Sequence, residues 1–177
     1  LKRLLIYTEG FYPKAYKDGK FLEKTKGKEV WKQNWSVGFG SNAGIGEILI
    51  PSVKDKIEGW KLAERQLSDC MQKAKNDFPS LQKHQHYAVA SLYYKAGIHI
   101  FELPKHDPKY AASMRVRGWL MTAQLPKKSI LTPLWVSLKN RVGNHKETRL
   151  LEISLLYKDF DKESLQRDLT SLLNKTK

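Results

Sequence analysis

Cysteine is nearly absent from this chain of 177 residues, which contains a single one, Cys70. A disulfide between two cysteines of the chain is therefore excluded. Cys70 stands in a row of mainly apolar residues spaced three or four apart, and this spacing predicts a thiol buried on one face of a helix. The row consists of Trp60, Ala63, Leu67, Cys70, Met71 and Ala74.

Long hydrophobic runs are also missing. No stretch reaches the roughly 18 apolar residues that a membrane helix needs, and no basic segment followed by an apolar one opens the chain as a secretory leader would. We therefore expect no membrane span. The chain starts at Leu1 and not at Met, so whether an upstream segment is missing stays an open question. A hydrophobic content of 41% predicts a substantial core within one domain covering residues 1–177.

Acidic residues are scarce: 18 Asp and Glu face 32 Lys and Arg, which gives a net charge of +14. Such a charge favours a polyanionic partner, either nucleic acid or a bacterial wall with its carboxylates and anionic polymers. The basic residues are scattered along the chain, whereas a nucleic-acid reader usually concentrates them, so we expect the wall and no nucleic acid. The densest lysine cluster, within 20–32, fits either a solvated hairpin or a substrate-binding role.

Patterns for metals and cofactors are weak. His84 and His86 lie two positions apart, and on a helix such residues point in different directions. The glycines of Gly38–Gly40 and Gly44–Gly46 lack the Gly-Lys-Ser/Thr sequence of a phosphate loop. We therefore predict no metal site and no cofactor.

The order of hydrophobic patterns predicts an α+β fold with a small antiparallel β-sheet lobe at about 10–58. The remaining residues, 1–9 and 59–177, are predicted to form a larger and mainly helical lobe, with a cleft between the two. Alternation and glycine clusters place strands at Tyr16–Leu22, Val30–Phe39 and Gly46–Ile50. The 3.6-residue period places helices at 2–9, 59–77, 80–96, 107–124, 131–141, 144–157 and 161–174.

Two carboxylates and a hydroxyl stand in distinctive surroundings near the start of the chain. Glu9 follows an apolar segment and precedes Gly10, Asp18 lies nine positions later before Gly19, and Ser36 opens a glycine-rich strand, Ser36-Val37-Gly38-Phe39-Gly40. Glycosidic bond cleavage needs one carboxylic acid that protonates the leaving oxygen and a second carboxylate on the other face of the sugar. Partial burial of Glu9 would raise its pKa and keep its proton available.

These motifs resemble the phage-type lysozymes of glycoside hydrolase family 24. The segment Tyr87–Gly97 is similar to the central helix of that family, and the region from Asn140 through Arg149 to Glu152 is similar to its C-terminal basic motif. The resemblance covers roughly residues 1–157. Ser36 stands where the family has Thr, and the 17 residues between Asp18 and Ser36 exceed the family spacing, which implies an insertion near 20–35. Thr25 is the alternative third residue.

The resemblance implies a monomeric muramidase that cleaves the β-1,4 bond between N-acetylmuramic acid and N-acetylglucosamine in bacterial peptidoglycan. Glu9 would be the acid. Asp18 would stay ionised and either orient the attacking water or support the cationic transition state, and Ser36 would hold that water. The site of action would be the wall, in the periplasm or outside the cell, after synthesis in a host cytoplasm or transport on a virion. Substrate contacts are predicted for Phe39, Tyr94, Lys95 and Arg149, with Arg149 as the basic residue near the catalytic Glu.

Two other classes of function remain open. A lysozyme fold without turnover would serve as a wall-binding or virion component. The altered third residue and the insertion favour this alternative, whereas the intact Glu9 and Asp18 argue against it. A basic nucleic-acid-binding protein is the second alternative, and it would bind duplex DNA with a steep dependence on salt, independently of Glu9.

Overall fold

The computed structural model describes residues 10–25, 28–138 and 146–158. The predicted helices at 2–9 and 161–174 lie outside this part. The described chain is α+β, as predicted, with a three-stranded antiparallel sheet followed by five helices. The elements are β1 Tyr12–Thr25, β2 Lys28–Gly38, β3 Ser41–Ile45, α1 Lys56–Asp77, α2 Lys83–Ala96, α3 Tyr110–Thr122, α4 Lys128–Ser137 and α5 Lys146–Tyr157. None of these helices combines the length and apolarity required to cross a membrane.

The chain divides into two compact units, Leu1–Gln66 and Leu67–Lys177. In the first unit, the strands follow the order β1-β2-β3. β1 pairs with β2 from Tyr12 opposite Gly38 to Thr25 opposite Lys28, whereas β3 pairs with β2 only between Asn34 and Val37. Residues 20–25 and 28–33 therefore form a two-stranded ribbon, which we call the hairpin arm. It occupies the place of the predicted insertion.

The third strand lies earlier than predicted. It was expected at Gly46–Ile50 but spans Ser41–Ile45. Gly38 and Gly40 have φ values of +64° and +76°, a conformation that glycine adopts readily, so the chain reverses immediately after β2. Residues 46–50 then fold back, and the amides of Leu49 and Ile50 both donate to the carbonyl of Ala43. The apolar alternation in this segment belongs to a loop in which Leu49 is 69% exposed.

The core of the first unit lies between the sheet and the start of α1. Its buried centre is formed by Val37, Ala43 and Val53, and the surrounding apolar residues are Phe11, Ala15, Trp35, Ile50 and Leu62. The carboxylate of Asp55 accepts a hydrogen bond from the amide of Glu58 at 2.8 Å and so caps the first turn of α1. A Cβ on Gly38 would lie 3.2 Å from the Cα of Gly59. The two backbones therefore touch directly, which fixes α1 against the end of β2.

The second unit is helical. α2 packs against α5, α4 against α5, and α3 against α4. Its largest buried apolar side chains include Trp135, Tyr93, Phe78, Leu92, Leu120, Leu131, Leu138, Ile153 and Leu156. The described helices begin and end within a few residues of their predicted limits. Cys70 is buried on α1, as the sequence predicted, and burial raises the pKa of its thiol to about 12, which leaves it unreactive near neutral pH.

A cluster of charged groups ties α1 to the segment after α2. The ammonium of Lys73 lies 3.1 Å from Asp77 Oδ2 and 3.3 Å from Glu102 Oε1, and His99 Nδ1 lies 2.6 Å from Glu102 Oε2. The hydrogen bond from His99, together with the interactions with Lys73, lowers the pKa of Glu102 below 4.5 despite partial burial. Burial alone would lower the pKa of Lys73, but its bonds to both carboxylates raise it above the ordinary value.

The lowered pKa of Glu102 predicts a loss of stability in acid. Since the pKa is lower in the folded than in the unfolded chain, the stabilisation is complete above pH 4.5 and disappears as the pH falls through the folded pKa. We expect the melting temperature of Glu102→Gln to depend less on pH between 3 and 6 than that of the wild type. Thermal melts across this range check the prediction. The exposed Glu47→Gln is the control, and an unchanged slope in Glu102→Gln would contradict the assignment.

Candidate functional site

The pairing of β1 with β2 brings two of the predicted catalytic residues together. Ser36 Oγ donates a hydrogen bond of 2.8 Å to Asp18 Oδ2, although the two residues stand 18 positions apart. Ser36 is 1% exposed, whereas Asp18 is half-buried, so Asp18 is the more accessible member of the pair. The antiparallel register, with Tyr16 opposite Ser36, produces this contact.

Asp18 lies in a β-bulge of β1, within the strand that the sequence predicted at Tyr16–Leu22. Lys17 pairs with Trp35 and Lys20 with Gln33, so β1 has one residue more than β2 between these pairs. Bulges change the direction in which a strand residue projects. Here the bulge, formed with Gly19, accompanies the contact between the carboxylate of Asp18 and the hydroxyl of Ser36.

A chain of amide hydrogen bonds supports the backbone at Asp18. Asn34 Nδ2 donates to the carbonyl of Asp18 over a long 3.4 Å, and Asn42 Nδ2 donates to Asn34 Oδ1 at 3.1 Å. The side-chain amide of Gln66 binds both backbone groups of Asn42, at 2.8 and 2.9 Å, and the amide of Gly44 donates to Asn42 Oδ1. None of these supporting residues belongs to the motifs that predicted the site. The alternation of Asn34 and Ser36 along β2 was the available signal.

Two tyrosines extend the same face of the sheet. Tyr16 stands opposite Ser36, and its ring packs on that of Tyr12 with centroids 4.7 Å apart. Tyr12 is 50% exposed. The Asp18–Ser36 pair therefore has aromatic surface beside it, which suits contact with the apolar side of a ring-shaped ligand.

The other predicted catalytic positions are placed differently. Glu9 lies outside the described residues, so its distance from Asp18 stays a prediction. Thr25 ends β1 opposite Lys28, seven positions beyond Asp18. At about 3.3 Å per residue this separates them by roughly 23 Å along the strand. Between the two alternatives for the third residue, the structure places Ser36, and not Thr25, beside Asp18.

The predicted substrate-binding residues lie in both units. Phe39 is 3% exposed and packs in the first unit, its ring centroid 5.2 Å from that of Phe11 and 6.2 Å from that of Trp60. Tyr94 and Lys95 lie partly buried near the end of α2, and Arg149 is buried on α5. Substrate contact stays a prediction for these four residues, and Phe39 has a clear packing role.

Arg149 belongs to a buried polar network centred on Glu152. Arg149 Nη1 lies 2.5 Å from Glu152 Oε2, and Trp135 Nε1 donates to the same oxygen at 2.7 Å. Ser91 Oγ donates to the other carboxylate oxygen. Since these donors come from α2, α4 and α5, the carboxylate of Glu152 joins three helices. Its partnership with Arg149 was visible in the sequence only as an i, i+3 pair.

Within the residues that the structure describes, no three His, Cys, Asp or Glu side chains are grouped as a metal site requires. Comparisons of this chain with protein-family models, curated proteins and solved structures find no match. The lysozyme resemblance therefore rests on the sequence motifs alone.

Proposed function

We propose that this protein is a peptidoglycan-degrading muramidase that hydrolyses the β-1,4 bond between N-acetylmuramic acid and N-acetylglucosamine with inversion. The observation that supports it most directly is the hydrogen bond from Ser36 to the carboxylate of Asp18. Two residues chosen from the sequence as catalytic partners, far apart along the chain, are in contact on one sheet face.

The geometry suits a carboxylate that activates water. A carboxylate has about four acceptor positions, so Asp18 can accept from Ser36 and still accept from a water molecule. In the proposed reaction Asp18 takes a proton from this water, whose oxygen bonds to the anomeric carbon. Glu9 gives its proton to the departing glycosidic oxygen. An inverting pair of this kind predicts carboxyl groups about 6.5–9.5 Å apart.

The wider setting of the site is part of the same proposal. The lysozyme-like arrangement of a β-rich and a helical lobe with a cleft rests on the sequence resemblance. So do the monomeric state and an action on the bacterial wall, in the periplasm or outside the cell. The charge of +14 supports a wall substrate because peptidoglycan and its associated polymers are anionic.

The test of the function is the release of soluble fragments from purified peptidoglycan, identified by mass. The wild type should generate fragments with reducing N-acetylmuramic acid ends. No release by the folded wild type from several wall chemotypes would contradict the enzyme and favour the wall-binding alternative.

We expect Ser36→Ala to slow this release about tenfold, because one hydrogen bond to a charged group is worth roughly 1.5 kcal/mol. Initial rates with the wild type and Ser36→Ala, at equal concentrations of folded protein, measure the effect. Ser36→Thr restores a hydroxyl at the same place and should recover most of the rate. Equal rates for Ser36→Ala and the wild type would exclude a role for the hydroxyl.

A further inference from the structure

The hairpin arm extends beyond the three-stranded part of the sheet. β3 pairs with β2 as far as Asn34, and the amide of Gly46 then donates to the carbonyl of Gln33 at 2.7 Å. Within the described chain no third strand pairs with residues 20–25 or 28–33. An isolated two-stranded ribbon is only marginally stable in water. A ribbon of this length therefore adds little stability of its own and is not needed to connect two strands. Its exposed side chains indicate a further role.

One face of the ribbon, continued along β1 to Lys17, combines an exposed indole with exposed ammonium groups. Trp31 is 64% exposed. The alternate positions 31, 33 and 35 of β2 share a face, and Lys20 and Lys17 stand opposite Gln33 and Trp35. Both lysines are exposed. We call Lys17, Lys20 and Trp31 the arm face.

The arm face lies on the side of β2 away from the catalytic pair. Ser36, which binds Asp18, occupies the alternate set of positions along the strand. A ligand on the arm face would therefore leave the carboxylate of Asp18 accessible.

Solubility alone does not explain this composition. Lysines at a ribbon edge discourage aggregation, and residues 14–32 contain seven lysines against three acidic residues. An indole that is 64% exposed has the opposite effect on solubility. Aromatic and basic groups together are typical of surfaces that bind polyanions containing rings, because the cations meet the anionic groups while the ring packs on another ring.

We propose that the arm face binds a phosphodiester-linked anionic glycopolymer of the bacterial wall. Lys17 and Lys20 contact its phosphates, and the indole of Trp31 packs on its sugar rings. The choice of a wall polymer over other polyanions rests on the proposed function. The arm then holds the protein on the wall while Asp18 and Ser36 act on the glycan.

The test is binding to a purified wall teichoic acid, followed by calorimetry or by co-sedimentation with walls that retain the polymer. Trp31→Ala should weaken binding about tenfold, and Trp31→Phe should restore most of it. Lys17→Gln/Lys20→Gln should weaken binding about tenfold at low salt and reduce its dependence on salt concentration. Lys75→Gln/Lys83→Gln removes two exposed lysines from helices and is the matched control, with binding close to that of the wild type.

The binding and cleavage measurements test the two proposals independently. Trp31→Ala should cleave polymer-free peptidoglycan at the wild-type rate. If the wild type does not cleave this substrate, the muramidase proposal is rejected, and the binding of the polymer is still measured directly. Undetectable polymer binding by the wild type would overturn the arm proposal. Equal losses of binding in Lys17→Gln/Lys20→Gln and in Lys75→Gln/Lys83→Gln would overturn it as well. Tighter binding of duplex DNA or anionic lipid vesicles through the same three residues would assign the arm face to that other partner.

Discussion

Asp18→Asn is expected to reduce the release of muropeptides by about 10²–10⁴-fold, the contribution typical of general acid–base catalysis. An amide has nearly the shape of a carboxylate, and its oxygen can still accept the hydrogen bond from Ser36, so the β1–β2 pairing should survive. What is lost is the negative charge and the ability to take a proton from water. Initial rates on purified peptidoglycan, with melting temperatures measured in parallel, separate the two effects.

Two further variants make this experiment decisive. Glu9→Gln should cause a loss of the same order, because the leaving oxygen then receives no proton from the enzyme. Asp69→Asn, an exposed carboxylate on α1, should cleave normally and shows that the general loss of one negative charge is harmless. An Asp18→Asn protein with more than half of the wild-type rate would remove Asp18 from the mechanism.

The second large effect concerns stability. Glu152→Ala should lower the free energy of unfolding by about 3–5 kcal/mol, the usual cost of leaving one member of a buried ion pair alone. Arg149 Nε and Nη2 have no hydrogen-bond partner among the described residues, and Nη1 donates to Glu152. Removal of the Glu152 carboxylate therefore takes away the acceptor that the guanidinium has among these residues. Trp135 and Ser91 lose their acceptor as well. Urea denaturation at pH 7 measures the change.

A double variant tests whether the ion pair is the cause. In Arg149→Met/Glu152→Leu the unpaired charge is gone and the space is filled by apolar groups, an exchange that is often close to neutral. The double variant should therefore be more stable than Glu152→Ala, and the single effects should not add. A double variant at least as unstable as the sum of its single variants would show that packing, and not charge, accounts for the loss.

The helical part of the fold could be predicted because its 3.6-residue period is a local signal. The third strand could not, because its position depends on backbone conformation. Gly38 and Gly40 adopt positive φ and reverse the chain at once, while the apolar alternation that looked like a strand at Gly46–Ile50 covers a loop. The hydrophobic pattern shows which residues are apolar, but it does not determine where the backbone reverses direction.

The residues of the candidate site also differ in whether a local sequence signal indicates them. Asp18 and Ser36 could be singled out because both stand in the sequence motif, and the antiparallel pairing of β1 with β2 brings them into contact. Asn34 and Asn42 have no motif, and the contact of Asn42 with Gln66 joins residues 24 positions apart in a sheet and a helix. That contact depends on the packing of α1 against the sheet, seen also in the close approach of Gly59 to Gly38, and such packing leaves no periodic signal in the sequence.

The hairpin arm also determines how this chain can change in length. Residues 20–25 pair with 28–33, so residues added in equal number to the two strands at the tip lengthen the ribbon and leave the pairing of Tyr16 with Ser36 intact. An unequal addition shifts the register, and a shift of one residue moves every side chain of a strand to the other face. Proteins that share this hydrogen-bonded pair could therefore diverge by whole cross-strand pairs, with arms of very different length beside an unchanged contact between Asp18 and Ser36.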